Sequence, residues 1–576
     1  MATPEQVRFN LRPAGPTVRF LAWLLDLLVR LGVFLLLWMV LGWTGAAGFG
    51  VLLLTAFLLE WGYGFLFEWR WHGQTLGKKA LGIRVLSADG SPAGPGACLL
   101  RNLLRVADWL PAGFLAGLTT MIFSGGYRRL GDLAAGTLVV LDERRVAARI
   151  PLIADPPILE LARLLPLDLA EGMDAEQAGA LADYAARRAQ FSPRRREEMA
   201  AHLAAPLARF LGRPDLAEHG DRLLCALHLL RFHGRPTAEG GPPPAGQAAD
   251  ARLLEARRPG WRQLEALVER DAVQRGDQAL ALSASYRAAC GDLALAEAHQ
   301  LPAAVRGYLH DLVSRAHWRF YRGSRAGLRR AADLLLVEGP GRLWTDPCLR
   351  VALVAFYGSF FACSWLAAWQ PELAASFAGD AYLAQVRSSF EAAPNDRTVD
   401  EALRMAGYYV RNNVGIALAS FATGIFFGLG SVVTLLYNGV LIGLIFGWMN
   451  TQDDAVRAHF FEFTCAHGPF ELTGIACAGA AGLRLGWGLV DCGGLTRAES
   501  LRAAATRAVP MLAAGATMVA LAAPIEGFVS PSSLPLLVKM LIGVLCALAV
   551  VVYLGLLGWR GARILAARRD SAEAQL

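Results

Sequence analysis

The strongest constraint on this chain is a series of long apolar runs, at about 17–42, 46–67, 349–369, 412–429, 432–450, 470–489, 508–525 and 534–558. A bilayer core asks for roughly 20 consecutive apolar residues per helix. Inside it every backbone amide must find its partner within protein. The runs exclude a single soluble globule and predict an all-α polytopic membrane protein with about eight transmembrane helices. A ninth apolar stretch, Val106–Phe123, is short and broken by Pro111 and Gly113. Arg101 and Arg105 precede it, and Arg128 and Arg129 follow. Basic flanks on both sides predict a re-entrant hairpin, with a single crossing as the alternative.

Charge placement decides what lies between the runs. The 576 residues are 55% hydrophobic and 18% charged, with a formal charge of +7 and a pI near 9.0. A basic balance can mark a nucleic-acid partner, but between Asp142 and Cys348 there are 29 Arg against 27 Asp plus Glu. That stretch is almost neutral, so no nucleic acid is expected; it reads as soluble and helical. The surplus positive charge flanks the apolar runs, where it sets orientation. Nine Cys without a C-x-x-C pair argue against a disulfide framework or a zinc module. No cofactor and no metal are expected.

The organisation that follows has a membrane domain at 1–147 and a cytoplasmic helical segment at 148–236. A Gly/Pro-rich linker at 237–250 contains Thr237–Gln247, which cannot hold helix hydrogen bonds. A second cytoplasmic helical part spans 251–348, a transmembrane bundle 349–560, and a basic cytoplasmic tail 561–576. Arg8 and Arg12 before the first run, and Arg563, Arg568 and Arg569 after the last, place both termini in the cytoplasm. The protein is expected in the bacterial cytoplasmic (inner) membrane as a multi-pass protein. The first run is too long for a cleavable signal and lacks a small-x-small site.

Ionisable residues within the runs are the candidate sites. Arg19, Asp26 and Arg30 lie in the first, and Glu60 in the second. Asp26 and Glu60 each stand about nine residues from the cytoplasmic end, roughly 13 Å deep. Such depth costs ~2.5–3.5 kcal/mol on insertion scales, so a partner or a wet cavity is expected. The pair is either a proton or cation site, or a satisfied ion cluster fixing helix packing. Downstream, Gly73–Lys78 (GQTLGK) is one residue short of a phosphate loop, with Lys79 where Ser or Thr should bind magnesium. Ile83–Leu86 and Thr137–Leu141 are β-branched runs able to pair as short strands. His310 and His317 are too far apart along one helix to share a zinc ion.

Arg19, Ala22 and Asp26, then Gly73–Lys78, Asp108 and Arg129–Thr137 with Asp132, resemble the RDD family of small bacterial membrane proteins. The resemblance implies transport of an unidentified solute, and sodium–proton exchange in some members. A second set resembles the stage II sporulation protein M (DUF95) integral membrane family, in its longer form with a cytoplasmic helical region. It comprises Asn412 and Asn413, Asn438-Gly439, His467-Gly468 with Glu471, the Gly479/Gly482/Gly486 face and Ile525-Glu526-Gly527. The topology gathers Asn412, Asn413, His467, Glu471 and Glu526 near the outer interface as a candidate polar pocket, with Asn438 added by the motif. It serves substrate binding, proton coupling or general acid–base work, or else is a set of helix-end caps and pairs stabilising re-entrant backbone.

No nucleophile–base pair accompanies these residues, so a non-enzymatic envelope protein is expected. Its expected role is scaffold or assembly factor of an envelope or wall-remodelling complex. The alternative is a transporter of solute or lipid, coupled to protons or cations through intramembrane carboxylates. Expected partners are the lipid bilayer and a wall-remodelling enzyme or MoxR-type ATPase. Gly/Ala faces favour a homodimer, unless they are used within one bundle.

Overall fold

The computed structural model describes residues 12–142, 151–210, 212–237, 241–243, 249–269, 277–298, 301, 303–320, 328–392 and 397–573. Much of the expected linker and the 147/148 boundary lie outside them. Two compact units emerge. One is helical and centres on 142–322; the other joins 12–88, 93–141 and the chain from 323 onward.

The larger unit holds the membrane helices. We label them α1 (Pro16–Leu41), α2 (Gly45–Arg70), α3 (Pro347–Trp369), α4 (399–423), α5 (Leu429–Met449), α6 (Gly468–Val490), α7 (Arg497–Val529) and α8 (Leu536–Ser571). Seven are long and apolar enough to cross a bilayer. The eighth run, expected at 412–429, is carried by α4, which starts in the charged segment at Val399 and ends at Thr423. Local chemistry sets several ends. Pro16 and Pro347 sit in first turns, where a missing N–H costs nothing. Thr496 and Glu499 close a capping box on α7.

The bundle is assembled by glycine. Gly439, Gly443 and Gly447 of α5 lie against α3; a Cβ on them would stand 2.1–2.6 Å from Ser359 Oγ and the Phe356, Phe360 and Ser364 carbonyl oxygens. On α6, Gly479 faces Leu435, Gly482 faces Ser431 and Gly486 faces the Gly428 amide, while Gly515 of α7 lies on the Gly474 carbonyl. Small residues let helix backbones approach where lipid offers no hydrophobic drive. Accordingly 72% of the apolar window of α6 is buried, against 11% for α1, whose Leu and Val side chains face outward. The glycine face of α6 is thus used within one bundle, which removes the motive given for a homodimer.

The N-terminal elements pack onto this bundle through the same device. Gly50 of α2 meets the Leu403 carbonyl of α4, and Gly407 meets the Gly50 carbonyl. Strands β1 (Ile83–Ser87) and β2 (Thr137–Leu141) pair antiparallel, Ile83 opposite Leu141 and Ser87 opposite Thr137, as their β-branched content predicts. The stretch 106–123 forms helices Arg105–Trp109 and Leu115–Phe123 around Gly113 and Phe114, both with positive φ. A nine-residue helix rises only about 13 Å, too little to cross. The stretch therefore has the form of a hairpin.

The helical unit has two cores of its own. Helix Gly220–Phe232 is buried along most of its length at the centre of the first, with Ile158, Leu181, Tyr184 and Leu207 around it. The second gathers Trp261, Tyr286, Leu293 and Leu309. There His317 Nδ1 meets the Tyr286 hydroxyl at 3.0 Å and His310 Nε2 meets Glu297 at 2.8 Å, so each histidine has its own partner.

Two predictions follow from this packing. Gly50→Leu forces α2 off α4 and costs ~1–3 kcal/mol, seen as a lowered melting temperature in detergent. Gly358→Ala, which meets nothing within 4 Å, leaves it unchanged. In the helical unit, burial pushes the His228 imidazole down to about 4 while its Nε2 bonds the Pro151 carbonyl. A depressed folded pKa means stability is intact above the free value of about 6.5 and is lost as pH falls from there to 4. The loss is on the order of 3 kcal/mol. It is read as faster hydrogen exchange over 151–232, corrected for intrinsic rates, and is reduced in His228→Leu, with His233, also depressed by burial on the same carbonyl, leaving a smaller remainder.

Candidate functional site

Two groups of polar side chains lie within the membrane unit, and they differ in whether their acids are paired with arginine or lysine. The first is built where the start of α1, the end of α2, helices Pro95–Leu103 and Leu130–Ala135, and the loop before helix Leu76–Ala80 converge. Arg101, fully buried, contacts Glu68 at 2.9 Å and Asp132 at 2.7 Å. Arg19 reaches Asp132 at 2.5 Å and also donates to the Tyr127 carbonyl. Lys78 pairs with Glu68, to which Asn102 donates at 2.9 Å. Arg129 reaches Asp108 at 3.4 Å, and Asp108 accepts from the Leu130 amide at 3.2 Å. Burial alone would raise the Asp132 carboxyl, but Arg19, Arg101 and Arg129 outweigh it and hold it well below the usual carboxylate range.

The pairing of Asp26 with Glu60 expected from their equal depth is corrected. Asp26 accepts from the Tyr63 hydroxyl (2.8 Å), the Thr75 hydroxyl (2.6 Å) and the Gly77 amide (2.8 Å). Glu60, 58% exposed, pairs instead with Arg30 at 3.0 Å and Arg105 at 3.1 Å. Equal depth did not mean a shared face, because Glu60 lies in a π-turn, Leu58–Gly62, and α2 presents Tyr63 to Asp26. Thus Arg19, Asp108 and Asp132 share one network, Arg30 and Glu60 another, and Asp26 is held by hydroxyls and an amide. Glycine makes the last possible: a Cβ on Gly77 would stand 2.1 Å from the Ala22 carbonyl. Ala22, Asp26 and the Gly73–Lys78 run are therefore one contact. Sequence reasoning missed Glu68, although it lies two helical turns after Glu60 at the end of the same helix, just past the apolar run.

The second group sits where α4, α6 and α7 meet. His467 precedes the first turn of α6, which begins at Gly468-Pro469, so Glu471 falls one turn later and its carboxylate lies 3.7 Å from His467 Nε2. Glu526 arrives from the π-turn Ile525–Val529 that ends α7, and Asn413 from the π-turn Val410–Val414 within α4. Asn413 Nδ2 donates to Glu526 at 3.2 Å, and Asn412 Nδ2 to Asn413 Oδ1 at 2.7 Å. One donor atom each from His467, Glu471 and Glu526 lie within 4.8 Å of one another. π-turns are frequent at functional sites because they swing a side chain off the regular helix face. Asn438 does not join them: it donates to the Thr434 carbonyl of its own helix α5 at 2.8 Å. That correction has a plain cause, since the asparagine sits mid-helix and bonds back four residues.

Sequence reasoning also missed what supports the group. Ser530 Oγ meets His467 Nδ1 at 2.8 Å. Lys539, wholly buried in α8, donates to Glu462 (2.8 Å) and to the Ser530 (3.1 Å) and Ser532 (2.6 Å) carbonyls, which locks the α7–α8 turn. A lone lysine within an apolar run was the available signal. Beside the group lies a cavity of about 730 Å³, lined chiefly by Tyr357, Phe360, Phe446, Phe461 and Met540, with Leu472 and Thr473 supplied by the turn after Glu471.

Comparison with known proteins gives three matches. Residues 13–136 match the RDD family, residues 352–531 match Stage II sporulation protein M, and residues 251–322 match a domain of unknown function (DUF8413). The first two are the families expected, at the expected ends of the chain; the helical part assigned to the longer form of the second matches a separate family. No curated protein and no solved structure matches the chain.

The two groups predict opposite mutational behaviour. Arg101→Met leaves Glu68 and Asp132 buried and underpaired and costs ~3–5 kcal/mol, whereas Glu60→Gln at an exposed pair costs less than ~1 kcal/mol. Thermal unfolding of the two purified variants in detergent measures the difference.

Proposed function

We propose that this fusion of an RDD-like segment and a segment like Stage II sporulation protein M is a non-enzymatic, cation-coupled transporter. It would sit in the bacterial cytoplasmic membrane with both termini inside, and its solute would be apolar or amphipathic. One observation carries the reading: His467, Glu471 and Glu526 stand together in the bundle with few hydrogen bonds to offset their burial, beside a large apolar cavity. Buried ionisable groups in a membrane bundle are costly, and they mark ion paths and proton relays when they are not simply paired. The RDD-like charges are paired, so their part is to hold α1, α2 and the two-stranded sheet as a rigid support. Loading the His–Glu–Glu group with a cation would neutralise it and draw the α6–α7 end together, while the cavity between α3, α6 and α8 takes the solute.

The separately cored helical unit favours a second role beside transport, the docking of a soluble envelope partner such as a wall-remodelling enzyme or a MoxR-type ATPase. Transport is tested in proteoliposomes loaded with a pH-sensitive dye under an imposed sodium or potassium gradient. The full-length protein moves protons faster than empty vesicles, and Glu471→Gln and Glu526→Gln each slow this at least tenfold while Glu60→Gln does not. Equal flux in all variants leaves only the docking role.

A further inference from the structure

We propose that His467, Glu471 and Glu526 form a binding site for a divalent transition-metal ion. The three side chains come from the starts or ends of two helices, and their donor atoms already lie within 4.8 Å of one another. A first-row ion with bonds of about 2.0–2.2 Å holds its ligand atoms roughly 3–3.5 Å apart. Closing the group onto an ion therefore needs only side-chain adjustments of about an ångström. One imidazole with two carboxylates suits Zn²⁺, Mn²⁺ or Fe²⁺ better than Mg²⁺ or Ca²⁺, which prefer oxygen alone.

A second observation points to a ligand, independent of the clustering. His467 is 5% exposed, and its Nδ1 is engaged by Ser530 Oγ at 2.8 Å. Its Nε2 is thereby aimed at the carboxylates but stands 3.7 Å from Glu471, beyond hydrogen-bond distance. A buried imidazole fixed through one nitrogen, with the other directed at two carboxylates, is the arrangement by which proteins orient a metal-binding histidine. Glu526 is oriented in the same way by Asn413, itself set by Asn412. These supports rest on glycine-packed helices whose mutual positions allow little movement: Gly474 of α6 lies on Gly515 of α7, and Gly527 lies on the Ala402 carbonyl of α4. Arg397, engaged with the Tyr409 hydroxyl, adds a positive field at Glu526 that opposes cation binding.

The site shares its residues with the transport reading, so it is tested at equilibrium and without flux. The full-length protein in detergent is stripped with a chelator and titrated with Co²⁺ and then Zn²⁺. Visible absorption and the metal content of the gel-filtered protein are measured. The expected result is one ion per chain with a nitrogen–oxygen Co²⁺ spectrum. Binding is weakened at least tenfold in the isosteric Glu471→Gln and Glu526→Gln variants and about 10–100-fold in Ser530→Ala. Binding no greater than that of the Glu471→Gln/Glu526→Gln double variant overturns the site, as does a thiolate charge-transfer band lost in Cys465→Ser. Metal bound without cation-driven flux overturns the transport reading and leaves the site standing. Flux that depends on Glu526 in protein that binds no metal does the reverse.

Discussion

Close contact between helix backbones at glycine is the constraint on which the membrane unit depends. In lipid, apolar side chains gain nothing by leaving one hydrocarbon surface for another, so helices associate through packing and polar contacts. Here α6 is hemmed in by Ser431, Leu435 and Gly428 on one side and by α7 on the other, each contact lying where a Cβ would collide. That closeness brings the first turn of α6 to the last turn of α7, so His467 and Glu471 meet Glu526. The same kind of contact between Gly50 and Gly407 docks the N-terminal helices on α4. One packing device thus sets both the joint between the two family segments and the geometry of the polar group.

The charged residues divide by whether an opposite charge is paired with them. Around Arg101 each buried acid has an arginine, a lysine or an amide, and such networks specify arrangement more than they add stability. The Arg19–Ala22–Asp26 face of α1 is tied through Thr75 and Gly77 to the loop after α2, and through Asp132 to helix Leu130–Ala135. The RDD motifs are, in this molecule, the joints of a scaffold. Near His467 the balance is different: two carboxylates and an imidazole share a few long contacts, and neighbouring amides and a serine orient them without neutralising them. Polar atoms arranged in this way are suited to receive a cation.

Departures from regular helix recur where these side chains act. Glu60, Asn413 and Glu526 each lie in a π-turn. A π-turn widens the helix by one residue and shifts the face on which later side chains fall. For Glu60 it undoes a pairing that depth alone suggests; for Asn413 and Glu526 it brings two side chains from different helices together. Lys539 shows the complementary case, in which three acceptors from a turn and a neighbouring helix consume an ammonium inside an apolar helix.

Much of the molecule was legible in the sequence, for simple reasons. Length and hydropathy determine that a segment spans a bilayer, so the apolar runs, the hairpin-shaped stretch 106–123 and the neutral helical region could be read without any fold. β-branching marked the paired strands, and ordered motifs marked the two families. The members of the His467 group could be named because polar residues at run ends are conspicuous, and the one-turn spacing of His467 and Glu471 is local. What only the tertiary structure decided is which faces meet. Asp26 found Tyr63 and not Glu60, Asn438 stayed on its own helix, and Ser530 and Lys539 became supports. Periodicity records the depth and spacing of a side chain on its own helix. Its partners depend on helix rotation and crossing, which are set by long-range contacts at glycine and by π-turns that no local pattern announces.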